Sequence, residues 1–408
     1  MLSLRPHQVR TINSMRTVDK GTVYIPTGGG KTRCMIEDLK FRLSGATDKI
    51  TVVVAPRIML ALQLANEFDT ALNEERYVIG HVHSGETDDW CSTDTDEIRN
   101  FLEGAISFGN NPIIFSTYHS LHKLHEAGVY ADHVYYDEAH NSTQRNFFPT
   151  VASFKTTHAY YFTATPKNSS KHARGMNNED VYGQNIITVD ANELLDCGAI
   201  IPPTVQVHTI DTVRTKKEIA NIDATTVIRV VDNGDADKVL VAAPSARIIN
   251  RMIAHTDLFM ELKARGYTVL RITSKHGAFI DAKKVNRKEF FKQLHIMGAD
   301  KNAKFILFHY SILSEGINVA GLTNVILLRN LGVVEMAQTI GRVIRLDKED
   351  SQNINDGTLK PRAYQNYIKP TGIVSVPVYT NHNKNTATRV QRTVNTIFNE
   401  GKPAIAWI

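Results

Sequence analysis

The chain has 408 residues, 42% of them apolar and 22% charged, enough to bury a full core, excluding a small scaffold held by staples. Its three cysteines, Cys34, Cys91 and Cys197, stand apart with no CxxC spacing, which argues against a disulfide framework or zinc cluster and fits a reducing cytosol. The formal net charge of +5 is modest, no apolar run approaches the ~20 residues of a membrane span, and Met1 to Arg5 carries no signal-peptide pattern, so a soluble, cytoplasmic protein with no membrane partner is expected.

Length alone suggests two or three domains. Short β-rich apolar runs alternate with helix-like stretches, the rhythm of parallel sheets with crossover helices. In the first half the strand candidates are Thr22–Ile25, Thr51–Ala55, Pro112–Ser116, His133–Asp137 and Ala159–Thr163. An acidic stretch, Ser84 to Glu97, carries six acids and no Lys or Arg and reads as a solvated surface. Cys197 to Pro203 is expected to be a linker, because its two consecutive prolines cannot continue a helix or a central strand. The boundaries are therefore set at 1–203 and 204–408.

The rhythm restarts with Lys238–Ala243, Thr268–Ile272, Lys304–Phe308 and Asn324–Leu328. From Lys275 to Lys304, eight Lys/Arg stand against three Asp/Glu, either a solvated face or one turned toward phosphates. Gly372–Tyr379 is a further strand, placed at a sheet edge because Pro377 interrupts it. Val390, Val394 and Ile397 recur at helical spacing before Gly401, predicting a terminal helix packed back on the body.

Ile25-Pro26-Thr27-Gly28-Gly29-Gly30-Lys31-Thr32, between a strand and a helix, has the composition of a phosphate loop. Glycines let backbone N–H groups close around phosphate oxygens, Lys31 supplies charge to the β- and γ-phosphates, and Thr32 offers a hydroxyl to magnesium. The strict pattern has Gly where Ile25 stands. Such a loop needs a carboxylate-bearing strand, and His133 to His140 supplies one: Asp137 to hold the ion, Glu138 to polarise water and His140 to link the site to the next strand. His119, His122 and His125 stand at i, i+3 and i+6, but the third ring drifts round a helix and no acid or cysteine accompanies them, so no metal is assigned there.

These motifs, in this order, resemble the superfamily 2 helicases of the DEAH-box type, and within them phage UvsW-type and restriction-motor (ResIII-like) DNA helicases. Leu4-Arg5-Pro6-His7-Gln8 is similar to the family's adenine-reading segment, with Arg5 and Gln8 in the nucleotide site. Ala55-Pro56-Arg57 with Leu60 and Gln63, and Ser116-Thr117-Tyr118, resemble motifs Ia and Ib, implying nucleic-acid contacts by Arg57, Ser116 and Thr117. Phe162 to Pro166 resembles motif III, implying that Thr163 and Thr165 couple hydrolysis to the strand path. Val241 to Ser245 resembles motif IV, giving Ser245 a nucleic-acid contact, and Ser314 to Asn318 resembles motif V, placing Gly316 at ATP. Tyr310-Ser311 stands where many relatives carry Thr-Asp. Gln338 to Arg345 matches QxxGRxxR, implying that Gln338, Arg342 and Arg345 serve catalysis, the two arginines a helical turn apart and reaching the γ-phosphate.

The resemblance implies an α/β fold of two tandem RecA-like lobes with parallel sheets, the ATP site in the cleft between them and a short C-terminal strand and helix extension. It implies an ATP-dependent, magnesium-requiring DNA helicase or translocase acting on single-stranded or branched DNA in replication, recombination or repair, and a monomer. RNA is the alternative track. An ATP-gated clamp or annealing factor is the alternative of another class.

Overall fold

The computed structural model describes residues 4–72, 76–171, 173–234, 236–273, 275–310, 319 and 321–408. They form two compact units, Met1–Asp190 with Lys402–Ile408, and Ala191–Gly401.

The first unit is built on β1 (Lys20–Tyr24), β2 (Thr51–Ala55), β3 (Tyr77–Val82), β4 (Trp90–Cys91), β5 (Asn111–Thr117), β6 (Ala131–Tyr136), β7 (Thr156–Thr163), a short β8 (Lys167–Asn168) and β9 (Gln184–Thr188). Eight of these form one sheet in the order β4-β3-β5-β2-β6-β7-β1-β9, and all its pairings are parallel. Because the strands run one way, every carboxyl end opens on the same edge of the sheet, where α/β folds place their ligands. Burial explains which strands are continuous apolar runs: β2 (Thr-Val-Val-Val-Ala) and β5 are buried at every position. Val52, Val54, Ile114, Val134 and Tyr136 share one core cluster with Ile98, Leu102 and Leu121 from the helices.

The second unit carries β10 (Pro203–Ile210), β11 (Lys238–Ala242), β12 (Thr268–Thr273), β13 (Gly277–Ile280), β14 (Lys283–Val285), β15 (Phe305–His309), β16 (Asn324–Leu327) and β17 (Gly372–Tyr379), in the order β10-β17-β16-β11-β15-β12-β13-β14. All pairs are parallel except the hairpin of β13 and β14, which is added antiparallel at one edge. The last strand, β18 (Ala406–Trp407), belongs to the first unit, where it pairs with β8.

Two expectations from proline placement change. Gly372–Tyr379 is not an edge strand: β10 pairs with it on one side and β16 on the other. The β16 ladder stops at Ser375. Ile373 N–H points to the β16 side, bonding Thr323 O, so two-residue alternation turns the Pro377 nitrogen to that same side beyond the ladder's end, where no partner is lost. The Cys197–Pro203 segment lies within the second unit. Ile201 N–H donates to Ile344 O, and Pro203 opens the true edge strand β10, a position where its missing N–H is tolerated.

The terminal helix forms as Lys384–Val394, followed by a π-helical turn at Asn395–Asn399 and Gly401 at φ +65°. Among the described residues no helix is long and apolar enough to cross a membrane.

Candidate functional site: the strand ends of the first unit

Strand β1 leads into Ile25, whose N–H continues the ladder by donating to Thr163 O and whose side chain is fully buried. A core side chain thus occupies the position where the strict motif has Gly. The chain then turns through Pro26 to Gly29, with Gly28 at φ +90° and Gly30 at φ +81°. Gly30 caps the 13-residue helix Lys31–Leu43, which has no acid in its first turn. Its N-terminus therefore keeps its positive end available to an anion. Thr27 and Thr32 flank the turn, each half-buried.

The preceding helix, Pro6–Met15, braces this loop. His7 Nε2 lies 2.8 Å from Gly29 O, Gln8 Oε1 accepts from Arg5 N–H at 3.0 Å, and Gln8 Nε2 reaches Gly29 O at 3.4 Å. Both ends of the Gln8 amide engage the protein, so reading a base requires release of the longer contact. The quoted motif singled out Arg5 and Gln8 but not His7, which holds the loop through its backbone.

Opposite the loop, Asp137 and Glu138 follow directly on the end of β6 at Tyr136. Asp137 N–H extends the ladder to Val54 O, and Tyr118 Oη donates to Asp137 O at 2.9 Å. Glu138 sits at φ +45°, a left-handed conformation costly for a residue with a side chain, at the strand tip. Its Oε1 is 3.6 Å from Lys31 Nζ. Burial, reinforced by the Glu138 carboxylate, pushes the Asp137 carboxyl up to about 7.

His140 connects this corner to β7. Its Nδ1 lies 3.0 Å from Thr163 Oγ1 and 3.5 Å from Glu138 Oε2, while Asn141 Nδ2 donates to its Nε2 at 3.2 Å. Nε2 is therefore the acceptor, and the Nδ1 proton points between Thr163 and Glu138. Burial lowers His140 to about 4, so the ring is neutral at pH 7. Thr163 Oγ1 also accepts from Thr165 N–H at 3.1 Å. His140, Thr163 and Thr165 thus form one hydrogen-bonded path to the tip of β7, with the Glu138 carboxylate 3.5 Å from its start. Asn141 and Tyr118 complete this corner, though the sequence reading gave them no role there.

Magnesium fits the donor set. Two adjacent buried acids, Asp137 and Glu138, stand beside Lys31, and carboxylates with a hydroxyl are the all-oxygen ligands such an ion takes. Asp137 and Thr32 would hold it.

The remaining predicted residues are dispersed. Arg57 is exposed at the start of helix Ile58–Ala71. Ser116 and Thr117 are buried: Ser116 Oγ donates to Val82 O, and Thr117 Oγ1 bonds Ser120 Oγ. The nearby histidines answer to separate partners, His119 edge-on to Phe147 and His125 Nε2 on Ser153 Oγ. In the second unit Ser245 Oγ caps helix Ala246–His255 by accepting from Ile248 N–H. Gln338 and Arg342 are buried on helix Val333–Val343. Arg345 lies past the helix end, in a single antiparallel bridge with Ile200, its carbonyl accepting from the buried Lys369 Nζ at 2.7 Å. The two arginines are thus not neighbours on one helix, as expected from their spacing, because the helix stops at Val343. Gly316 and the rest of motif V, with Ser311, lie outside the described residues. Tyr310 is described, and its carbonyl accepts from Arg329.

Residues 1–168 match the family model "Type III restriction enzyme, res subunit", and residues 222–347 match "Helicase conserved C-terminal domain". No curated protein matches the chain. Among solved structures, the chain is similar over 100% of its length to 31% of the ATP-dependent Type ISP restriction-modification enzyme LlaBIII bound to DNA, at 17% identity and a TM-score of 0.72. It is similar over 99% of its length to 30% of a nuclease-deletion mutant of the Type ISP restriction-modification enzyme LlaGI in complex with a DNA substrate mimic, at 17% identity and a TM-score of 0.67. The chain spans less than a third of either enzyme.

Proposed function

Since the chain belongs to the superfamily 2 helicases of the restriction-motor type, a class of ATP-hydrolysing motors with two tandem RecA-like domains, we propose that it translocates on DNA and uses the pocket of its first unit to hydrolyse ATP. The observation that carries this reading is the meeting of Lys31 and Glu138 at 3.6 Å beside Asp137, at the carboxyl ends of parallel strands.

In this reading Arg5 and Gln8 hold the base, Thr27 to Thr32 the phosphates, and Thr32 with Asp137 the magnesium, which supplies charge neutralisation at the transferred phosphoryl group. Glu138 orients the attacking water. Its second oxygen rests against His140, so a change at Glu138 is passed to Thr163 and Thr165. Gln338, Arg342 and Arg345, with Gly316, carry the hydrolysis roles that the resemblance gives them. Arg57 and Ser245 grip phosphates of the strand, while the burial of Ser116 and Thr117 gives them the role of shaping that surface. Branched or forked DNA, handled in replication, recombination or repair, is the proposed substrate, and the protein acts as a monomer in the cytoplasm.

The test is ATP turnover with and without single-stranded DNA in Lys31→Ala, Glu138→Gln and Arg345→Ala. We expect losses of about 100-fold or more in each, the scale of removing a transition-state contact. Near-normal rates in all of them would end the proposal. Stimulation by RNA in place of DNA would transfer the reading to an RNA track, and turnover without strand displacement would favour a clamp.

A further inference from the structure

Beyond the motifs lies the basic stretch of the second unit. Strand β14 forms the outer edge of the sheet, with Lys283 and Lys284 exposed. The helix that follows, Arg287–Ala299, buries Phe290, Leu294 and Gly298 along one face. On its solvent side Arg287, Lys288 and Lys292 are exposed, the latter two four residues apart and continued by His295.

The three acids within this stretch each have a partner, Asp300 accepting from Asn302 N–H at 2.9 Å. Asp281 takes Lys263 Nζ at 2.9 Å and Val269 N–H at 2.8 Å, and Glu289 accepts from Gln293 at 2.8 Å. Among the described residues, no ion pair reaches Lys283, Lys284, Arg287, Lys288 or Lys292. Lysines on an edge strand discourage pairing with another sheet, which accounts for Lys283 and Lys284. It does not account for the helix, where like charges at i and i+4 repel and lower stability with no internal return.

We propose that this hairpin and helix form a sequence-independent docking surface for the phosphate backbone of DNA. The inference rests on the DNA reading above and adds a contact outside the helicase motifs. A polyanion is the partner whose charge complements an elongated strip of unneutralised cations, and release of its counterions supplies the driving force.

The experiment titrates labelled oligothymidylate by fluorescence anisotropy over a salt series, comparing wild type with Lys288→Gln/Lys292→Gln, with Lys283→Gln/Lys284→Gln, and with Lys288→Arg/Lys292→Arg. Matched thermal melts exclude misfolding, which is not expected for exposed side chains. Each glutamine pair is expected to reduce the slope of log affinity against log salt by about 1.4, from about 0.7 per phosphate contact on single strands. The arginine pair is expected to retain the wild-type slope. A wild-type slope in both glutamine pairs, while wild type binds, overturns the surface and leaves the DNA reading standing. Absence of wild-type binding at every salt overturns the DNA reading and the surface with it.

Discussion

At Gly30 the backbone conformation and the space around it make the same demand. The residue sits at φ +81°, and a Cβ built there would lie 2.4 Å from Gln8 Nε2. Gly30→Ala therefore meets left-handed strain of about 1–2 kcal/mol and displaces the side chain that braces the loop. Nucleotide affinity is expected to fall about tenfold, equivalent to about 1.4 kcal/mol, with a lowered melting temperature. Adding Gln8→Ala removes the collision but not the strain, so it restores part of the stability and none of the affinity. Thermal melts and nucleotide titrations of both variants check this, and a Gly30→Ala protein indistinguishable from wild type would show that the loop is not closed as described.

Among the elements of the second unit, a buried ion pair ties the segment after β10 to the helix Ile219–Asp232 and to β17. Arg214 Nε and Nη2 donate to the two carboxylate oxygens of Asp223 at 2.6 and 2.5 Å, and Tyr379 Oη donates to Asp223 Oδ1 at 3.1 Å. Arg214 Nη2 also donates to Leu328 O. Removing one partner leaves a charge buried without its counter-ion. Asp223→Ala is thus expected to destabilise the unit by about 3–5 kcal/mol, whereas Arg214→Met/Asp223→Leu, which removes both charges, costs much less. Urea midpoints would measure it, and equal losses in the two variants would refute it. No sequence pattern announces this pair, because its members belong to different elements and meet only through the tertiary fold. What could be read were the strands buried on both faces, such as Thr51–Ala55, whose apolar runs are continuous. Pro203–Ile210 and Lys283–Val285 went unread because edge strands keep polar residues and mixed burial. The glycine turn before Lys31 and the Asp137-Glu138 pair past the strand end were legible, since local backbone chemistry fixes their spacing. His7 and Tyr118 were not, because both act on backbone carbonyls distant in sequence.

Across the whole molecule, burial holds several histidines neutral. His83 and His140 are lowered to about 4, and His133 and His309 to about 3, with loss of solvent as the leading cause in each. In the unfolded chain each titrates near 6.5. Between these values the unfolded state binds more protons, so the contribution is fully present above about 6.5 and is lost as pH falls through the folded-state values, at up to about 1.4 kcal/mol per pH unit for each ring. Asp137 acts in the opposite sense. Its carboxyl is raised to about 7, so between about 4 and 7 it ionises first in the unfolded chain and costs stability as pH climbs. The histidines outnumber it, and the urea midpoint is expected to be lower at pH 5 than at pH 7; a higher midpoint at pH 5 would contradict the burial of neutral rings. Magnesium separates the two contributions. An ion at Asp137 offsets the cost of ionising that carboxyl, so added magnesium is expected to raise the midpoint at pH 7 and to do so far less at pH 5, where protons compete for the same oxygen atoms. Asp137→Asn is expected to remove the magnesium response while leaving the histidine-driven fall at low pH intact. A magnesium gain that survives this substitution would place the ion on other residues.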